Sequence, residues 1–359
     1  MRLKNRVAGQ PMPPVKIVDL RTESSDRKGF HAISRGLEKA LAEALVKGEQ
    51  GILFLNRRGF STHIFCPRCG FAERCPDCDV GMTYHLRPGH LRCHYCGRKA
   101  TPPKACPSCG LENINYWGLG TQKLEEEIKD KLPEARLARM DSDTMRRRGA
   151  HEEILTAFHE GDIDILIGTQ MIAKGLHFPN CTVVGIINAD AALNLPDFRA
   201  AERCFQLISQ VAGRTGRGAK AGQVFLQTFN PEHTAIRLAA AHDYDSFFRK
   251  EMEARRRLGY PPLGRLARIV GRGENADKVE AAIKSLAGVL RDFLEGHPVV
   301  ILGPAPTPIA KISRHWRYQI LVKSPDAKSM MHFMDAVRSK IKPTSDVQFA
   351  VDIDPQSTL

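Results

Sequence analysis

Eight of the chain's ten cysteines lie between Cys66 and Cys109, in four C-x-x-C pairs: Cys66/Cys69, Cys75/Cys78, Cys93/Cys96 and Cys106/Cys109. A two-residue gap lets both sulfurs of one turn point at the same ion. Several pairs are followed at once by glycine, at Gly70, Gly97 and Gly110, and glycine takes the positive φ that turns backbone N–H groups toward thiolate. Tetrahedral zinc takes four sulfurs at about 2.3 Å, so eight sulfurs make two four-cysteine sites. A disulfide cluster would need an oxidising compartment, and four pairs so close together are too regular for a redox C-x-x-C. The gaps between pairs are five, fourteen and nine residues. Cys75, Cys78, Cys93 and Cys96 therefore read as C-x2-C-x14-C-x2-C, near the usual zinc spacing, and Cys66, Cys69, Cys106 and Cys109 would close an outer ring. This nested pairing is preferred over a sequential one. Sulfur fills every position, so the zincs are structural rather than catalytic. A zinc hydrolase or redox protein is disfavoured, and His85, His90 and His94 read as surface groups.

A second chemistry is carried by Gln210-Val211-Ala212-Gly213-Arg214-Thr215-Gly216-Arg217, at the end of a helical pattern. Two guanidinium groups three residues apart can converge on one anion, and such a pair suits a γ-phosphate whose charge shifts during hydrolysis. R-x-G-R alone is more often a solvated basic loop; Gln210, Gly213 and the other motifs favour the functional reading. Gly168-Thr169-Gln170-Met171-Ile172-Ala173-Lys174-Gly175 ends a hydrophobic strand. Small residues there allow close approach to a phosphate chain, and Thr169 can donate to it; a plain strand–loop–helix turn is the competing reading. Lys174 is not a P-loop lysine, because no G-x-x-x-x-G-K-[ST] surrounds it.

The elements that must position these groups alternate. Apolar strands at 51–55, 135–139, 163–167, 181–187 and 223–228 interleave with helices starting near Ile33, Thr121, His151 and Arg199, which implies a parallel sheet covered on both faces. Ligands of such sheets gather at the carboxyl ends of the strands, where the motifs are expected. Residues 1–30 read as a linker with a short strand candidate at 15–20, 31–257 as the α/β lobe with a further strand candidate at 61–65, 66–110 as a zinc-binding insertion within it, and 258–359 as a small α+β domain with strand, helix, two strands (the first at 299–302), helix and strand in order. No run approaches the length of a transmembrane helix, and MRLKNRVAGQ has no apolar signal core. Net charge is +13; two four-thiolate zinc centres of about −2 each leave about +9, so a polyanion, nucleic acid first, is the expected partner.

The two motifs resemble motifs V and VI of superfamily-2 helicases, and Phe54-Leu55-Asn56-Arg57-Arg58-Gly59 resembles motif IV. With an eight-cysteine insertion right after motif IV, the chain resembles the C-terminal half of the primosomal replication-restart helicases. Pro14–Arg21, Asp141–Thr144, Asn188–Asp190, Leu195–Arg199, Tyr260–Pro262, Gly303–Pro306 and Val351–Pro355 extend the likeness along essentially the whole chain. The resemblance implies a RecA-like second helicase lobe and an ATP-dependent 3′→5′ DNA helicase, cytoplasmic, that recognises stalled or forked DNA and directs primosome assembly. It implies that Arg214 and Arg217 form an arginine-finger pair on a loop shaped by Gln210 and Gly213. Thr169, Gly175, Arg57 and Arg58 would contact DNA. Arg314, Arg317 and Gln319 would contact partners, among them single-stranded-DNA-binding protein and primosome proteins.

The sequence also departs from that family. It has no Walker A and no D-E-x-H, so the ATP-phosphate lysine, the Mg2+ carboxylate and the water-activating glutamate are missing. ATP and Mg2+ would bind only with a first lobe, in cis or in trans, and the chain alone is expected to be inactive, whether a fragment or a separately encoded half. The alternative is a non-enzymatic zinc protein that docks on DNA or a partner.

Overall fold

The structure, a computed structural model, describes residues 12–26, 31–55, 66, 68–69, 71–78, 80–85, 89–112, 121–140, 149–169, 172, 178–215 and 220–358. The lobe begins with β1 (Val15–Asp19), α1 (Leu20–Asp26), α2 (Arg35–Val46) and β2 (Gln50–Leu55). The cysteine insertion carries the short strands β3 (Thr83–His85), β4 (His90–Arg92) and β5 (Lys99–Ala100). The lobe resumes with α3 (Thr121–Lys131), β6 (Leu137–Met140), α4 (Ala150–Glu160), β7 (Ile165–Gly168), β8 (Cys181–Ile187), α5 (Asp190–Leu193), α6 (Ala200–Ala212) and β9 (Gln223–Thr228). Two helices, α7 (Thr234–Ala240) and α8 (Tyr244–Leu258), lead out of it.

Six strands form one parallel sheet in the order β1-β9-β8-β2-β7-β6. β2 and β8 are buried along their whole length, as strands covered on both faces must be. Alternation divides their side chains. Leu53 and Val183 meet Leu37 and Leu41 of α2 and Leu124 and Ile128 of α3. Ile52, Phe54, Val184 and Ile186 meet Phe158 of α4, Ile208 and Val211 of α6 and Ile236 of α7. Each such fully buried side chain contributes about 1.5–3 kcal/mol. α2 starts at Ser34, whose hydroxyl accepts from the Leu37 amide. It packs close because Gly185 has no Cβ: one built there would sit 2.7 Å from Leu37 Cδ2.

The short strand expected at 15–20 forms as Val15–Asp19, but it belongs to the lobe rather than to a linker: it is the sheet's edge strand, paired in parallel with β9. Its side chains are half-buried except for exposed Lys16, with Val15 and Ile17 packed on one face and Val18 on the other. The strand expected at 61–65 and motif IV beyond Leu55 lie outside the described residues, as does Asp141–Thr144.

The C-terminal domain runs β10 (Arg265–Gly273), α9 (Ala276–Asp292), β11 (Val300–Ile312), β12 (His315–Ser324), α10 (Ala327–Val337) and β13 (Gln348–Ile353). Its antiparallel sheet has the order β11-β12-β10-β13, a split βαβ arrangement. α9 and α10 cover one face, with Val279, Ile283, Leu290, Met330 and Phe333 on Ala267, Ile269, Ile320 and Val322. β11 far exceeds the short strand expected at 299–302. Pro304, Pro306 and Pro308 hide it in the sequence, but on an edge strand a missing N–H is tolerated, and the register slips between Leu302 and Ala305 and again between Pro306 and Lys311, the stretches that hold Pro304 and Pro308.

Candidate metal centres and motif loops

The insertion places its eight cysteines in two groups, Cys66/Cys69/Cys106/Cys109 and Cys75/Cys78/Cys93/Cys96, with all sulfurs of a group within 4.8 Å of one another. This is the nested pairing. Closest sulfurs are 3.6 Å apart for Cys66 and Cys109, 3.5 Å for Cys69 and Cys106, and 3.6 Å for Cys75 and Cys96. Tetrahedral Zn–S bonds of about 2.3 Å require edges near 3.8 Å, so the groups fit zinc. The geometry comes from one repeated turn. The first cysteine of each pair donates its N–H to the carbonyl five residues on, at Phe71, Val80, Arg98 and Leu111, over 2.8–2.9 Å. Gly97 and Gly110 follow their pairs with φ of 82° and 72°, a conformation glycine supplies without strain. Burial pushes the Cys66 thiol up to about 12, while hydrogen bonds within the inner group bring Cys75 down to about 6. A divalent cation removes that competition by letting all four sulfurs ionise.

The insertion is sandwiched rather than free. Its cysteines share a core with Tyr260, Leu266 and Leu321 of the C-terminal domain. The Tyr260 hydroxyl donates to the Cys78 carbonyl at 3.2 Å. Half-buried Lys323 lies 4.6 Å from the Tyr260 ring centre, and its ammonium, bonded to the Leu258 carbonyl, is held below the usual lysine range chiefly by burial. A Cβ on Gly81 would collide with the Asn194 carbonyl of the lobe. His94, expected at the surface, is fully buried, with Nδ1 2.6 Å from the Pro306 carbonyl; the C-terminal sheet covers it. Tyr95, between two metal ligands, is also fully buried. Its hydroxyl accepts from the Phe198 amide at 2.9 Å and lies 2.6 Å from Thr358 Oγ1. Sequence reading passed over Tyr95, although its pair, C-H-Y-C, is the one that departs from C-P-x-C.

Thr169 follows β7 at the carboxyl edge of the parallel sheet, half-buried, with its amide on the Met140 carbonyl at 3.4 Å. Asn188, with φ of 58°, and Asp190 follow β8 on the same edge. Asp190 is buried and ties down the turn after β9, accepting from Thr228 Oγ1, the Phe229 amide and Asn230 Nδ2. Motif VI is not on that edge. α6 carries it back across the sheet, Gln210 exposed in the last turn and Gly213 as the C-cap. Thr215 Oγ1 then donates to the carbonyl of Cys181, the first residue of β8, at 2.7 Å. The expectation that all polar motifs gather at the carboxyl ends fails here because a helix following a strand returns antiparallel to it. Arg214 is packed into the lobe at 9% exposure rather than projecting from it. Arg217, Gly175, Arg57 and Arg58 lie outside the described residues.

Of the three C-terminal candidates, Arg314 is exposed in the β11–β12 hairpin turn, where Ser313 and Arg314 both take positive φ. Arg317 is half-buried in β12. Gln319 is fully buried, and its amide is spent: Oε1 accepts from Arg268 Nε and Nε2 donates to the His94 carbonyl, each at 2.6 Å. It joins domains and is not offered to a partner. The structure does not bring the three onto one exposed surface.

Comparison with known proteins bears on the whole chain. Residues 75–100 match the PriA DNA helicase Cys-rich region (CRR) domain, 115–219 the Helicase conserved C-terminal domain, and 256–356 the Primosomal protein N C-terminal domain. The chain is similar to the replication restart protein PriA of Bacillus subtilis (strain 168), 43% identical over 360 residues, which cover 99% of this chain and 44% of that protein. It is also 43% identical over 362 residues to the PriA of Synechocystis sp., covering 99% of this chain and 43% of that protein. The PriA of Treponema pallidum is 39% identical over 358 residues, covering 99% of this chain and 53% of that protein. The chain thus spans about half the length of the curated relatives it matches. With two four-cysteine centres set into a parallel α/β lobe and an antiparallel C-terminal sheet beside them, the chain belongs to the PriA family of replication restart proteins.

Proposed function

We propose that this chain forms the second lobe, zinc insertion and C-terminal domain of an ATP-dependent 3′→5′ DNA helicase, acting in the cytoplasm on stalled or branched replication forks and directing primosome assembly. The observation that carries the reading is the helicase-domain match at 115–219, which spans α6 and the Q-x-x-G-R-x-G-R motif at its end. ATP and Mg2+ are held mainly by a first lobe, which this sequence does not encode, so the chain alone does not hydrolyse ATP. Because Arg214 is packed into the lobe, Arg217 is the cation assigned to the γ-phosphate and Arg214 holds the turn, with Gln210 and Gly213 shaping it. A guanidinium there stabilises charge on the transferred phosphoryl group. Thr169, Gly175, Arg57 and Arg58 are assigned to the DNA backbone on the carboxyl edge, and Arg314 and Arg317 to protein partners such as single-stranded-DNA-binding protein. The two zincs stiffen the insertion and take no part in the chemistry.

The test supplies a first lobe carrying Walker A, in cis or in trans. Arg217→Ala should lower DNA-stimulated ATP hydrolysis by about 10^3-fold or more. Hydrolysis indifferent to that change would refute the assignment. DNA affinity should fall steeply with salt as phosphate contacts release counterions; a flat titration would argue against a DNA partner.

A further inference from the structure

The amino end of α6 is held from outside its own domain. Arg199 supplies no side-chain cap. Buried Asp197 does instead: its carboxylate accepts from the Arg199 amide at 2.8 Å and the Thr358 amide at 3.2 Å, and pairs with Arg203 at 3.1 Å. The Gln356 carbonyl accepts from Arg199 at 2.6 Å and from Arg203 at 3.3 Å. The Phe198 ring stacks on Tyr260 at 4.9 Å. Its amide bonds the Tyr95 hydroxyl, which also meets Thr358 Oγ1. The lobe, the inner metal group and the segment after β13 thus converge on the residues that start α6.

We propose that Tyr95 is a positioning residue: with Asp197 and Thr358 it fixes the amino end of α6, and through that helix the placement of the Gln210–Arg217 motif. α6 has 13 residues and is a rod about 20 Å long, so a shift at its start is delivered to its end. Tyr95 sits between Cys93 and Cys96, and its amide lies 3.4 Å from Cys93 Sγ. Its backbone is held when that pair grips an ion, so the inner metal reaches the motif through this side chain. The kinetic half of the proposal rests on the motif reading given above; the structural half does not.

Two variants remove the hydroxyl contact without removing bulk, Tyr95→Phe and Thr358→Val. In the chain as it stands, hydrogen exchange at amides 198–203 and 210–214 should quicken about tenfold in each, with zinc content and exchange in β2 and β8 unchanged. Stripping zinc with a thiol reagent and chelator should quicken the same amides. With the first lobe supplied as above, Tyr95→Phe should lower kcat for DNA-stimulated ATP hydrolysis several-fold per zinc-loaded molecule, with KM for ATP within twofold. Unchanged exchange at 198–203 in both variants overturns the proposal. If exchange responds but Arg217→Ala leaves ATP hydrolysis intact, the strap stands and the motor reading falls.

Discussion

Gln319 offers a quantitative probe of how the insertion and the C-terminal domain are joined. Its side chain is buried in β12 and spans two structural units, accepting from the Arg268 guanidinium and donating to the His94 carbonyl. Gln319→Leu keeps the volume and deletes both bonds. A hydrogen bond to a charged group contributes about 1.5–3 kcal/mol, and a buried carbonyl that loses its donor costs about 1–3 kcal/mol. The added apolar surface of leucine returns about 1 kcal/mol. The net loss is about 1.5–5 kcal/mol, and 3 kcal/mol corresponds to roughly 150-fold in the folding equilibrium. Gln319→Glu separates the two halves. A carboxylate still accepts from Arg268, whose guanidinium burial holds down at about 10, but it cannot donate to His94. That variant should lose about half as much. Urea unfolding followed by tryptophan fluorescence, with Trp316 on the same strand and packed against the core of the same domain, reads both. A leucine variant within about 0.5 kcal/mol of the parent, an order-of-magnitude bound from the same bond energies, would refute the reasoning, as would a glutamate variant worse than leucine.

Other perturbations test separate parts. Elemental analysis should find about two zinc per chain; Cys69→Ser and Cys78→Ser should each lower this to about one, but only Cys78→Ser should quicken exchange at the insertion's contact with Tyr260, because that contact is to the Cys78 carbonyl. Gly81→Ala drives a methyl into the Asn194 backbone and should cost about 1–3 kcal/mol, whereas Gly288→Ala, inside α9 with open space around it, should gain about 0.5–1 kcal/mol; thermal unfolding of the pair decides. Asp164 accepts from the Arg136 side chain and backbone, chiefly the guanidinium, which holds its carboxyl below the usual range. A depressed folded pKa contributes stability above the unfolded pKa and loses it as pH falls through the folded one. Asp164→Asn should therefore cost about 1 kcal/mol at neutral pH, a surface pair discounted for solvent, and the difference should vanish in acid; equal unfolding midpoints at neutral pH would contradict it.

The parallel lobe was legible because its central strands carry no ambiguity. GILFL and CTVVGII are continuous apolar runs bounded by polar loops, and only a strand buried on both faces needs one. The α2 pattern of Leu37, Leu41, Ala44 and Leu45 has helical spacing, with Ile33 just ahead of the cap. Elements held by something other than periodicity were lost. β3, β4 and β5 have two or three residues each, too few to show a period, and are organised by the cysteine turns. α7 has seven residues between two stronger signals. β1 was legible as a short strand but not as part of the lobe, because its partner, β9, lies about two hundred residues away, and most of β11 was masked by the prolines that an edge position permits.

The metal sites were legible to the individual cysteine because C-x-x-C spacing is a local rule. The junction was not, because it is a third layer. Pairing in β10 and β12 puts Ala267, Ile269, Ile320 and Val322 against the helices, and Leu266, Arg268, Gln319 and Leu321 on the opposite face. In a two-layer domain that second face meets water, so Gln319 and Arg317 read as exposed and available to a partner. The sequence carried a contrary sign. Leu266 and Leu321 sit at the same outward positions, and two leucines facing solvent beside a buried arginine make sense only if something covers them. Here the cover is the cysteine insertion, placed there by a chain reversal of more than two hundred residues that no local pattern encodes. An out-facing leucine in a strand next to a polar residue is therefore evidence that the polar residue is spent on an internal contact. By that criterion Arg314, which is exposed at the hairpin tip, stays available to a partner and Gln319 does not.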